Sequence, residues 1–170
     1  SNLIQKAGIS RASFYLYFED KEDLLGCIAE SWVDVILRKL TEAFRVSDGS
    51  YYESMKLWMS QALENDISRE VWKVYKRVME EEDFTRKSKM GALQFKASPK
   101  WRQVIEECYG HMDQSRYPGL TPEKLAYAVD MGLLAMVQLS MRYVEHYAPL
   151  AELKEAAWHQ LTILDKGIRE

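Results

Sequence analysis

The sequence is short of the residues that break helices and of those that cross-link small folds. Four prolines and eight glycines in 170 residues leave long stretches without a breaker, so long helices are permitted. The two cysteines, Cys27 and Cys108, stand far apart and form no C-x-x-C pair. That spacing argues against a disulfide framework and fits a reducing, cytoplasmic compartment. No signal-peptide pattern opens the sequence. Excess positive charge is also missing: 23 Lys and Arg face 26 Asp and Glu, for a net charge of −3. Any nucleic-acid surface must therefore be local or lie outside these residues. His111, His146 and His159 make no H-x-x-x-H pair, and there is no nucleophile motif or Gly-rich phosphate loop. Catalysis, a metal and a cofactor are accordingly not expected. The most apolar run, residues 125–144, is interrupted by Asp130, Gln138 and Ser140. It reads as a buried helix rather than a membrane span.

What the sequence does contain is helical periodicity. Hydrophobic residues make up 47%, enough for a sizeable core. A short helical stub covers Asn2 to Ala7, and Gly8 and Ile9 turn it. Ser10 caps a second short helix from Arg11 to about Tyr17. Asp20 caps a long helix from Lys21 to about Val46, with an apolar stripe of Leu24, Leu25, Ile28, Trp32, Val35, Ile36, Leu40 and Phe44. After the turn "SDGS", Ser50 and Glu53 form a capping-box pattern. The helix they open runs to about Asn65 and sets Tyr52, Met55, Met59, Ala62 and Leu63 on one face. Ser68 caps another helix, with Val71, Trp72, Tyr75, Val78 and Met79 inward, ended by "EEED" at 80–83. That acidic run fits a cation site or a solvated helix end. Residues 84–97 fit either a short helix or a loop.

Ser98 and Pro99 start a helix lined by Trp101, Val104, Ile105, Cys108, Tyr109 and Met112. Thr121 and Pro122 repeat this start for the apolar helix, which ends near Tyr147. Pro149 begins the last helix, to about Ile168. No strand-like alternation and no internal repeat is present. The expected class is all-α, with about nine helices. Residues 1–46 form a head with its connecting helix, and residues 47–170 form a larger domain.

Two short helices joined by a tight turn make a helix-turn-helix, whose second helix enters the DNA major groove. The segment "AGISRASFYLYFEDKEDLL", residues 7–25, is more specific than that. It resembles the helix-turn-helix of the tetracycline-repressor (TetR) family of bacterial transcription regulators. That family's pattern is A-G-[VI]-S-x-[AG]-[ST]-[FL]-Y-x-[YH]-F-x-[SDN]-K-[ED]-x-L, and Ala7 to Leu24 match nearly every fixed position. The motif resemblance covers about 25 residues, and the rest of the chain matches in architecture alone. The family has a further helix, often with a basic arm, ahead of the motif. Residues preceding Ser1 are therefore expected to complete the head. Within residues 1–25, Lys6, Arg11 and Lys21 face Glu19, Asp20, Glu22 and Asp23, so the electrostatic part of DNA affinity would come from that preceding segment.

The resemblance implies a regulator, expected to be a repressor. It would bind a palindromic operator as a homodimer and be released by a small apolar or aromatic effector. It also implies the residue roles. Ser10 caps the recognition helix, and Arg11 reaches towards bases or phosphate. Ala12 and Ser13 lie near the groove floor. Tyr15 and Tyr17 offer hydroxyls to phosphates, Leu16 touches a thymine methyl, and Lys21 draws a phosphate to a helix start. Phe14 and Phe18 face inward. From the residues alone, the alternative is that Tyr15 and Tyr17 are half-buried packing groups.

In the larger half, Trp58, Met59, Trp72, Tyr75, Met79, Trp101, Tyr109, Met112, Met131 and Met136 suit an apolar ligand cavity and equally an ordinary core. Asp130 would orient a ligand, or face solvent or a salt partner. The last two helices pair Ala128, Gly132, Leu133, Met136, Leu139 and Tyr143 with Leu153, Ala157, Leu161, Leu164 and Ile168. They are expected to form a dimer seam, with burial inside one chain as the alternative. A different class of function stays open: a helical dimer that binds a small molecule or protein without touching DNA.

Overall fold

Ser10 begins the first helix in the way its chemistry predicts. Its side chain accepts from the Ser13 amide at 3.0 Å, satisfying one of the amides that a helix start leaves unpaired. The computed structural model describes residues 8, 10–63, 73, 99–145 and 148–170, with the side chains at 22, 25, 29, 30 and 32 excepted. Among these residues there are six helices and no strand: α1 Arg11–Tyr15, α2 Lys21–Val46, α3 Tyr51–Leu63, α4 Pro99–Gly110, α5 Pro122–Val144 and α6 Leu150–Gly167. The all-α class stands. The expected stub at 2–7, the helix begun by Ser68, the acidic run and segment 84–97 lie outside the described residues. So do Trp72, Tyr75, Met79, Ser98 and His146.

Helix α1 is shorter than the sequence pattern indicates. The Tyr17 amide donates to the Phe14 carbonyl at 3.1 Å, a three-residue step that tightens the chain and ends the helix. Asp20 then opens α2 by accepting from the Asp23 amide at 2.7 Å, while Asp23 accepts from the Glu19 amide at 3.0 Å. This reciprocal pair fixes where the 26-residue helix starts. At about 1.5 Å per residue it spans roughly 39 Å.

Burial along α2 is uneven. Leu37, Leu40, Ala43 and Phe44 are core residues, whereas Val35 is exposed. Val35 therefore leaves the expected stripe and Leu37 joins it. Leu37, Leu40 and Phe44 are spaced three and four apart, so they share one face. That face packs on α3 and α4, and the large core reaches back along α2 to about residue 37. Two polar ties hold the same half of the helix: the Trp58 indole donates to the Ile36 carbonyl at 3.2 Å, and the Lys100 ammonium pairs with Asp34.

The turn after α2 depends on Gly49, whose φ of +69° favours glycine. A Cβ built there would stand 2.6 Å from the Asp113 nitrogen. The same approach lets the Asp113 amide donate to the Gly49 carbonyl at 3.1 Å. Ser50 caps α3 through the Glu53 amide at 3.3 Å. The return half of a capping box is replaced, because the Ser50 amide donates to the Ser47 carbonyl instead. On α3 the most buried face carries Tyr51, Met55, Trp58 and Met59, while Tyr52 is only half-buried.

Helix α5 starts at Thr121, whose hydroxyl accepts from the Lys124 amide at 3.2 Å, with Pro122 in the first turn. It ends at Val144, capped by Glu145, slightly short of the expected limit. Helices α5 and α6 pack on each other and on α3. The centre of the fold holds a polar network. Tyr117 accepts from the Tyr51 amide at 3.0 Å and donates to Asp165 at 2.5 Å. Arg169 pairs with the other Asp165 oxygen, also at 2.5 Å. The Tyr51 hydroxyl donates to the Ala128 carbonyl at 2.7 Å. Among the described residues no helix is long and apolar enough to cross a membrane.

Candidate DNA-reading head and sensor core

In the head, one side chain of α1 faces in and the others face out. Phe14 is buried, with its ring edge-on to Tyr15 at 5.3 Å and tilted against Phe18 at 5.5 Å. Ser10, Arg11, Ala12, Ser13, Tyr15, Leu16, Tyr17 and Lys21 are all exposed. The values for the three bulky residues are high: 63% for Tyr15, 79% for Leu16 and 79% for Tyr17. Three consecutive bulky side chains, two of them bearing phenol hydroxyls, thus stand in water. The reading of Tyr15 and Tyr17 as half-buried packing groups does not hold. Ser13 is less free than expected, since its hydroxyl shares a 2.8 Å hydrogen bond with that of Ser10.

The expected ligand residues divide into two groups. Trp58, Met59, Trp101 and Met112 are buried in one contiguous core, and Tyr109 packs against it. The Tyr109 hydroxyl lies 3.2 Å from the Leu120 carbonyl, which can accept from it. Asp130 is half-buried on α5. Trp72, Tyr75 and Met79 belong to the undescribed residues. Cys108 sits in the same core, and burial pushes its thiol up to about 12, with Glu107 adding to the rise. It behaves as a small apolar group. Among the described residues no cluster of three potential metal ligands occurs.

Of the expected seam residues, most lie inside the chain's own core. Ala128, Gly132, Met136, Leu153, Ala157 and Leu161 are buried within the single chain, and Tyr143 and Leu164 pack partly buried against the same core. Gly132 is spoken for by α3: a Cβ built there would stand 2.4 Å from the Met55 methyl. The buried six are already desolvated, and only Tyr143 and Leu164 keep surface that a partner could cover. The outward face of the same helices carries Tyr127 at 67%, Met131 at 51%, Leu134 at 49% and Ile163 at 60% exposure. The 127–131–134 spacing was available in the sequence. It was hidden because α5 is apolar on nearly every side, so periodicity gives no phase. Ser140 was likewise noted only as an interruption of the apolar run, and the Tyr51–Tyr117–Asp165 network had no local signal.

The family model for bacterial regulatory proteins of the tetR family matches residues 1–27. No curated protein and no solved structure is found to be similar to the chain. The matched stretch includes the Ser10 cap, the buried Phe14 and the Asp20 cap. Over that segment the chain is similar to bacterial regulatory proteins of the tetR family.

Proposed function

We propose that the protein is a ligand-responsive repressor that grips a pseudo-palindromic operator as a homodimer and lets go when a small apolar molecule enters its core. The single observation that carries the DNA role is the run Tyr15–Leu16–Tyr17, exposed at the end of a capped helix whose Phe14 alone is buried. In this reading the two tyrosine hydroxyls and Lys21 hold phosphates, and Leu16 and Arg11 meet bases. Ser10, Ala12 and Ser13 shape the surface that lies against the groove.

The dimer reading now rests on the outward apolar face of α5 and α6, Tyr127, Met131, Leu134 and Ile163. Two such faces in antiparallel contact make a four-helix seam with two-fold symmetry, matching the symmetry of a palindrome. The coupling reading rests on α2. Its first residues adjoin the head, and its second half lies in the core with Trp58 hydrogen-bonded to its backbone. A molecule that displaces Trp58, Met59 or Trp101 would tilt α2. That tilt changes the spacing of two recognition helices that must sit about 34–36 Å apart on DNA. Linkage then requires DNA to weaken ligand binding by the same factor as ligand weakens DNA binding.

The test is selection from random duplex DNA followed by footprinting. A pseudo-palindrome with half-sites one helical turn apart supports the reading. Recovery of no preferred duplex would leave a helical ligand-binding dimer without a DNA role.

A further inference from the structure

Ser140 is the exception among the buried polar side chains. Four polar residues are buried among the described residues: Ser50, Ser54, Ser140 and Asp165. Ser50 accepts from the Glu53 amide, Ser54 donates to the Ser50 carbonyl, and Asp165 holds Tyr117 and Arg169. Ser140 is wholly buried, and its hydroxyl has no hydrogen-bond partner among the described residues.

A cheap local remedy exists and is used elsewhere in this fold. Thr41, Ser47, Ser54 and Thr162 each donate to the carbonyl four residues back, at 3.0, 2.7, 2.6 and 2.9 Å. Ser140, inside α5, could do the same to Met136, and it does not. An unpaired hydroxyl in an apolar interior is costly, so stability alone favours Ala at this position. The inward face of α5 and the helix packed on it carry thioether side chains. Met136 lies one turn before Ser140 on the same face, and Met55 and Met59 are fully buried on α3, with the Met55 methyl directly against Gly132. Thioether side chains change shape at low cost.

We propose that Ser140 is the polar anchor of the effector pocket, and that the effector is a small, mainly apolar molecule bearing one hydrogen-bonding group, such as a phenol or an alcohol. This rests on the effector-binding reading above. It adds a residue to that site and a chemical class to the ligand. One precisely placed polar group in an apolar wall is how such pockets orient what they bind.

Phenol and toluene are the probes, since they share a shape and differ in the hydroxyl. Binding of each is followed by tryptophan fluorescence in the wild-type protein, Ser140→Ala and Ser140→Thr. The expected result is that Ser140→Ala weakens phenol about tenfold and moves toluene by less than about twofold, with Ser140→Thr restoring phenol. Unliganded Ser140→Ala is expected to melt no lower than wild type. A lower melting temperature would show that the hydroxyl already has a partner, and it would overturn the proposal. If both probes bind and Ser140→Ala changes them equally or not at all, the pocket stands and the anchor is wrong. If neither probe binds wild type, the effector-pocket reading and the anchor fall together.

Discussion

The Tyr117 hydroxyl donates to Asp165 at 2.5 Å across 48 residues of sequence, and the same oxygen accepts from the Tyr51 amide at 3.0 Å. One phenol thus joins the turn after α4, the start of α3 and the end of α6. Replacing Tyr117 with Phe keeps the ring and leaves a buried amide and a buried carboxylate oxygen each short of a partner. Urea unfolding is expected to show a loss of about 2–4 kcal/mol. A loss below about 0.5 kcal/mol would mean that the network is not a structural tie.

Alkali should weaken the fold in a traceable order. Burial raises the Cys108 thiol from 9.0 to about 12. Burial and the neighbouring Asp165 raise Tyr51 and Tyr117 above the ordinary tyrosine value. In each case the folded pKa exceeds the unfolded one. The stabilisation is therefore complete below the unfolded value and is lost as pH climbs towards the folded value. The thiol gives a decline beginning near pH 9, and the tyrosines extend it from about pH 10. Cys108→Ala should flatten the first part of the decline in unfolding free energy and leave the second. An unchanged profile would show that Cys108 titrates normally.

Glycine substitutions should separate two kinds of position. Gly49→Ala meets both a φ of +69° and the Asp113 nitrogen at 2.6 Å, and it should cost more than about 1 kcal/mol. Gly26, inside α2 with nothing within 4 Å of a built Cβ, should gain about 0.5–1 kcal/mol as Ala. Thermal melts of the two variants in opposite directions would bear this out.

With the proposed seam on the outward face of α5 and α6, different charges should split the dimer. Met131→Glu with Leu134→Glu places two carboxylates on the outward face. It should yield a monomer by light scattering while helicity is kept. Gly132→Glu should instead unfold the chain, because its side chain would enter the space held by Met55 and Tyr51. A wild-type monomer at micromolar concentration would remove the seam altogether.

How far these features were legible depends on their range. Caps at Ser10, Asp20, Ser50 and Thr121 are local chemistry, visible in the sequence and present in the structure. The reading head was visible for the same reason, since its order of residues lies within one short segment. The inward face of α5 could not be chosen from a helix that is apolar nearly all round. That is why Ala128, Gly132 and Met136 were expected at a seam, whereas within the chain they are buried. Tyr117 and Asp165 lie 48 residues apart in different elements, and no periodicity links them. Val35 and Leu37 exchanged places because a stripe traced by three- and four-residue steps can branch.

The central claim is that residues 10–21 read duplex DNA. It is tested most directly by the salt dependence of binding to the duplex recovered by selection, for wild type, Tyr17→Phe, Lys21→Ala and the Tyr15/Tyr17/Lys21 triple alanine variant. Each lost phosphate contact should shallow the slope of log affinity against log salt by about 0.9. Lys21→Ala is therefore expected to lower the slope by about one and to weaken every sequence alike. Tyr17→Phe should weaken binding without changing preference, and the triple variant should lose specific binding. Equal affinity and equal slope for wild type and the triple variant would contradict the account and remove this segment from the DNA interface.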